Sequence, residues 1–171
     1  MNSNNHVYTG VTLDSPVITK LNTGSAAIFL RQAPYKQGSN DETNQDAVAV
    51  IPVGENAVVL IVADGMGGAP AGDVAARLAI QSLQRNLEHA SEELLRDAIL
   101  DGIEKANKAI LQLENGAATT LAIVELNDNR MRSYHVGDSG IIVTGQRGRL
   151  RLQTTAHSPT AYAVEAGYID E

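Results

Sequence analysis

The chain contains no cysteine, no tryptophan and a single phenylalanine, Phe29. Without thiols, disulfides and thiolate metal sites are excluded outright. With one Phe and no Trp, a core has to be built from Val, Ile, Leu and Ala. Long apolar runs are missing too, none approaching the roughly 20 residues of a membrane span, and the opening Met1–His6 is polar, unlike a signal peptide. Basic residues are in the minority, 13 against 20 acidic, for a net charge of −7. That balance argues against non-specific nucleic-acid binding and suits a protein that holds cations. A chain of 171 residues is expected to form one domain with a sizeable core. The composition reads as a cytoplasmic α/β domain, with neither membrane nor nucleic acid as a partner.

What is present centres on one stretch. Ala57–Ala63 is seven apolar residues rich in β-branched types, followed at once by Asp64-Gly-Met-Gly-Gly68. The run predicts a strand buried on both faces, and the glycines let the backbone turn sharply after it. A carboxylate at the end of such a strand needs positive company: a basic side chain, a helix N-terminus or a metal ion. Upstream, Asp46–Ile51 resumes strand character after a polar loop at 32–45, and Gly54 marks a short turn. The unit 46–63 therefore predicts an antiparallel hairpin with Asp46 and Asp64 side by side at one rim of a sheet. Residues 1–24 read as an extension or an edge strand, with Ala26–Leu30 a better strand.

A helix is predicted from Pro70 to about His89, with Ala76, Ala79, Ile80, Leu83 and Leu87 on one face. A second runs to about residue 113, with Ser91 as its N-cap and Glu92 and Glu93 in its first turn. Its stripe is Leu95, Ile99, Gly102, Ile103, Ala106, Ile110 and Leu113. The two should lie antiparallel as a layer against a sheet. After Asn115-Gly116 the period changes to strands at 119–126, 130–136, 141–144 and 149–154, an antiparallel meander, and a short helix is expected over 159–167. Strands, a helix pair and then strands again indicate α+β with a sheet sandwich.

Asp46, Asp64 and Asp138 each stand at a strand end or strand turn. Carboxylates converging without a neighbouring Lys or Arg repel one another and call for a hard cation, Mg²⁺ or Mn²⁺. Two such ions roughly 3.5–4 Å apart can acidify a water for in-line attack on phosphorus. An aspartate in a glycine-rich turn is equally a turn former, so from the residues alone both readings stand.

Asn44-Gln-Asp46, Val62-Ala-Asp-Gly-Met-Gly-Gly68 and Val136-Gly-Asp-Ser139, in that order and separated by a helix pair, resemble the metal-dependent Ser/Thr protein phosphatases of the PPM, or type 2C, family in its bacterial form. Thr154-Thr-Ala-His-Ser158 and Glu165-Ala-Gly-Tyr-Ile169 are similar to the next motif, so the likeness covers about residues 25–171. The resemblance implies an antiparallel β-sandwich flanked by helix layers, α-β-β-α, of which this chain reads as the N-terminal two-thirds, incomplete at its C-terminus. It implies that Asp64 bridges two Mn²⁺ or Mg²⁺ ions, that the Gly65 carbonyl binds one of them, and that Asp46 holds metal-bound water. Asp138 is implied at a further, weaker metal site. The implied reaction is hydrolysis of phosphoserine or phosphothreonine on a protein by metal-activated water, with a phosphorylated protein as substrate and a cognate Ser/Thr kinase as a partner.

The chain departs from the family pattern at three points. Asp41 stands where the family has a phosphate-gripping arginine, leaving Lys36 or Arg31 as substitutes. Ala156 replaces an aspartate before His157, which then reads as a turn or packing residue. After Asp138 the remaining carboxylates are Glu165, Asp170 and Glu171, none in the context of the family's later metal ligands. Two other classes of protein fit the same residues. One is a non-catalytic phosphatase-like module that binds phosphoproteins. The other is a fragment that needs another chain to complete its sheets and cover open edges. The intact set Asp46, Asp64 and Asp138 favours the enzyme.

Overall fold

The computed structural model describes residues 5–22, 24–31, 44–66 and 71–169. In chain order its first elements are β1 (His6–Thr9), β2 (Val17–Leu21), β3 (Gly24–Ile28), β4 (Asp46–Val53), β5 (Ala57–Asp64), α1 (Gly72–Leu87) and α2 (Leu95–Leu111). They are followed by β6 (Leu121–Asn127), β7 (Arg130–Val136), β8 (Ile142–Thr144), β9 (Leu150–Gln153) and α3 (Pro159–Glu165).

The centre is a five-stranded antiparallel sheet in the order β1-β4-β5-β6-β7. Its middle is the predicted hairpin, β4 pairing with β5 from Val53↔Ala57 at the turn to Asp46↔Asp64 at the open end. Because side chains alternate along a strand, each strand serves two cores. Ala47, Ala49, Ile51 and Val53 of β4, with Ala57, Val59, Ile61 and Ala63 of β5, meet the helices. Val48, Val50 and Val58 turn to the opposite side, where they pack with Ile28, Leu30, Val17 and Leu21 from the β2–β3 region. This double burial is why both strands are nearly continuous apolar runs. The stretch that reads as an extension or edge strand contributes β1, paired to β4, and β2, paired to β3.

The helix layer follows the predicted stripes. Ala76, Ala79, Ile80, Leu83 and Leu87 of α1 and Leu95, Ile99 and Ala106 of α2 are all buried in the core. The helices run antiparallel, with Leu83 against Gly102 and the Asn86 amide donating to the Ala98 carbonyl at 3.1 Å. The predicted start of the second helix is corrected. Ser91 opens a 3₁₀ turn, Glu92–Leu94, its hydroxyl makes no capping bond, and α2 begins at Leu95. Glu92 is drawn elsewhere, accepting the N–H groups of Glu55 (2.7 Å) and Asn56 (2.9 Å) at the β4–β5 turn. Those two bonds hold its carboxyl below the usual glutamate range. The predicted helix start at Pro70 lies outside the described residues.

The expected single meander is also corrected. β6 and β7 pair through a two-residue turn, but β8 and β9 form their own two-stranded sheet. The break falls at Gly137, whose backbone sits at φ 93°, a conformation that glycine adopts without steric penalty. The layer order is helix pair, five-stranded sheet, then the small β2–β3 sheet. Among the described residues a second helix pair beyond that sheet has no counterpart.

Candidate metal centre

The open end of the β4–β5 hairpin carries the carboxylates. Asp46 enters β4 through a local turn: the buried Asn44 accepts the Asp46 N–H on Oδ1 (3.0 Å) and donates from Nδ2 to the Val11 carbonyl (2.9 Å). Asp64 ends β5 directly opposite, so both side chains leave the same face of the sheet. It is the face of Val48 and Val58, away from the helices. At this end that face is open, Val62 being 45% exposed.

Two carboxylates in this register cannot both ionise cheaply. Partial burial, the Asp64 charge and a hydrogen bond to the Asp64 side chain together push Asp46 up to about 6. The pair can relieve its repulsion by sharing a proton or by accepting a cation, and an oxygen-only donor set suits a hard divalent ion.

The backbone around Asp64 is heavily tied. Its N–H donates to Thr120 Oγ1 (3.2 Å), and its carbonyl accepts from Thr120 N (2.9 Å) and Thr119 Oγ1 (2.9 Å). Gly65 N–H donates to the Gln45 carbonyl (3.2 Å) and Met66 N–H to the Ala118 carbonyl (2.9 Å). A side chain at Gly65 has no room, since a Cβ there would lie 2.4 Å from the Gly72 carbonyl oxygen and 2.6 Å from that of Gln45. Gly65 is thus held between the entry to β4 and the start of α1.

Asp138 is exposed on the Gly137–Gly140 loop after β7. That loop is held from two sides. Ser139 Oγ meets Thr120 Oγ1 at 2.5 Å, while Gly137 donates its N–H to His157 Nδ1 (3.4 Å) and accepts the His157 N–H on its carbonyl (2.9 Å). His157 is a packing residue here, its ring 4.3 Å from that of His135. The fold therefore brings Asp46 and Asp64 together and ties the Asp138 loop to the same threonine as Asp64. Among the described residues no three His, Cys, Asp or Glu side chains gather as a metal-holding group. Lys36, Asp41, Gly67, Gly68, Asp170 and Glu171 lie outside the described residues, and Glu165 is exposed on α3. Thr119, Thr120 and Ser139 join the site through their hydroxyls, and sequence reasoning alone does not single them out as site residues. The signal was two consecutive threonines leading into an apolar strand.

A family model described as protein phosphatase 2C matches residues 35–168. The chain belongs to the protein phosphatase 2C family. It is 30% identical over 142 residues to a putative protein phosphatase 2C-type of Streptococcus pyogenes, a match that covers 78% of this chain and 57% of that protein. The fold superposes on the S. agalactiae serine/threonine phosphatase with a TM-score of 0.66 at 25% identity, over 98% of this chain and 62% of that one. The catalytic domain of the serine/threonine phosphatase PstP, solved in complex with two manganese ions, gives a TM-score of 0.61 at 30% identity, over 79% and 59%. The chain thus spans little more than half the length of the relatives it matches.

Proposed function

We propose that this chain supplies the Asp46–Asp64 half of a divalent-metal site for hydrolysis of phosphoserine or phosphothreonine on proteins. The observation that carries the reading is the cross-strand pair itself: two carboxylates at one open sheet end, with Asp46 pushed up to about 6 by burial and by its partner. Asp46, Asp64 and the Gly65 carbonyl would hold the ions, with Asp138 at a further position on the adjacent loop. Divalent cations bound there supply an acidified water and neutralise phosphate charge. The protein's own part is to fix the two carboxylates in register and to keep the site open to a bulky substrate. The manganese complex of PstP and the serine/threonine phosphatase names of the relatives support the choice of metal and substrate class.

Titration with Mn²⁺ by calorimetry should give binding that disappears in Asp64→Ala. The same preparation should hydrolyse p-nitrophenyl phosphate or a phosphothreonine peptide only when Mn²⁺ or Mg²⁺ is added. Binding that persists in Asp64→Ala removes the metal site, and metal-free turnover removes the mechanism.

A further inference from the structure

Thr120 makes four contacts around the candidate centre, two with Asp64, one with Ser139 and one with Gly137. Its backbone N–H donates to the Asp64 carbonyl at 2.9 Å, and its Oγ1 accepts the Asp64 N–H at 3.2 Å. The same Oγ1 shares a hydrogen bond of 2.5 Å with Ser139, the residue after Asp138. Its Cγ2 methyl fills the space beside Gly137, where a Cβ would lie only 2.8 Å away. The Asp64 strand end and the Asp138 loop come from segments far apart in the chain. The hydroxyl of Thr120 is their common hydrogen-bonding partner.

We propose that Thr120 and Ser139 are positioning residues that couple the Asp64 and Asp138 halves of the site, so that loss of either hydroxyl loosens both carboxylates together. The inference rests on the metal-binding reading above only for its consequence, ligand geometry. The coupling itself is a property of the protein alone. Groups behind metal ligands orient them, and their removal commonly weakens metal affinity. A threonine whose hydroxyl is shared in this way is not equivalent to valine, although the shape is the same.

The test uses the full chain in four variants. Thr120→Val keeps the methyl against Gly137 and removes Oγ1, Thr120→Ser returns the hydroxyl, Ser139→Ala removes the other end, and the fourth variant combines Thr120→Val with Ser139→Ala. Calorimetry with Mn²⁺ is expected to give affinities about tenfold weaker in Thr120→Val and Ser139→Ala, near wild type in Thr120→Ser, and no further loss in the double variant. Amide hydrogen exchange in metal-free protein supplies a second readout: the Asp64 amide should exchange faster in Ser139→Ala, although Ser139 does not touch it. Wild-type Mn²⁺ affinity in both single variants, or additive losses in the double one, overturns the proposal. Should Thr120→Val fail to fold, Ser139→Ala decides on both readouts. If the wild-type chain binds no Mn²⁺, the metal reading falls and the exchange arm alone decides the coupling: faster Asp64 exchange in Ser139→Ala sustains it, and unchanged exchange ends it.

Discussion

On the helix side of the five-stranded sheet, Ala49, Val59, Ala63, Ile80, Leu83 and Ile99 have no exposed surface, whereas on the other side Val62, two residues from Asp64, is 45% exposed. The two sides also treat carboxylates differently. On the helix side Glu125 is buried and fully provided for by the protein, accepting from Arg132 Nη1 (2.6 Å) and Tyr134 Oη (2.5 Å). Burial and the Glu125 carboxylate push the Tyr134 phenol up to about 12, so its proton stays in place as a donor. On the open side Asp46 and Asp64 face each other instead. A carboxylate that the fold intends as structure is given its own cation and donors. One left facing a like charge has no such provision, and this contrast is the ground on which we propose a cation site there.

The largest effect should come from the closed side. Leu83→Ala removes a side chain with no exposed surface that packs over Gly102 between the helices, and is expected to cost about 2–5 kcal/mol in urea unfolding. Mn²⁺ affinity of the folded fraction should stay at the wild-type value. A joint loss of stability and affinity would show that the two sides are not separable. Next in size is Arg132→Ala, which leaves Glu125 with Tyr134 as its remaining hydrogen-bond partner on β7. Because the Arg132 side chain is itself 44% exposed, water can reach the site, and a loss of about 1–3 kcal/mol is expected rather than the larger cost of a fully buried pair. Glu125→Gln in the Arg132→Ala background should recover part of it by removing the charge left behind. No recovery would mean that the arginine acts through its packing.

The closed side and the carboxylate pair were legible in the sequence because their signals are local. Ala57–Ala63, the Gly54 turn and Asp46–Ile51 define a hairpin from contiguous residues, and once it is a hairpin, the Asp46↔Asp64 register follows from its geometry. The apolar stripe of α1 is likewise readable from its period. Where the structure departs from the sequence pattern, the deciding partners meet only after folding. Ser91 has the chemistry of an N-cap, but the neighbouring Glu92 is captured by N–H groups 36 and 37 residues away, and the chain takes a 3₁₀ turn there. The meander breaks after β7 where Gly137 turns beside Thr120 and Ser139 bonds to it across 19 residues. Thr120 reaches Asp64 across 56 residues, which no local pattern reports.

The smallest expected effect is on the open side, and it has the opposite sign. Asp46 is raised from 3.8 to about 6 in the folded protein, so folding favours its protonated form. Below about pH 4 the group is protonated in both states and its favourable contribution is fully present; as pH rises through about 6 the folded state surrenders the proton and that contribution is lost. Metal-free wild-type protein should therefore lose stability between those values. Glu92, held low, titrates the other way, its contribution present above the usual glutamate range and lost as pH falls. The two trends overlap in a single protein, so a difference measurement is needed. Asp64→Asn removes the like charge beside Asp46 and leaves Glu92 untouched. The difference in unfolding free energy between Asp64→Asn and wild type should grow from near zero at about pH 4 to about 1 kcal/mol in favour of the variant at about pH 7, after discounting for solvent screening. Part of the Asp46 shift comes from burial and will survive the substitution. Mn²⁺ should stabilise the wild-type protein at neutral pH by an amount that grows with metal concentration and stabilise the variant much less, since the substitution also removes a proposed ligand. Parallel pH profiles for the two proteins would instead mean that Asp46 is raised by burial alone, and that the open side is no less settled than the closed one.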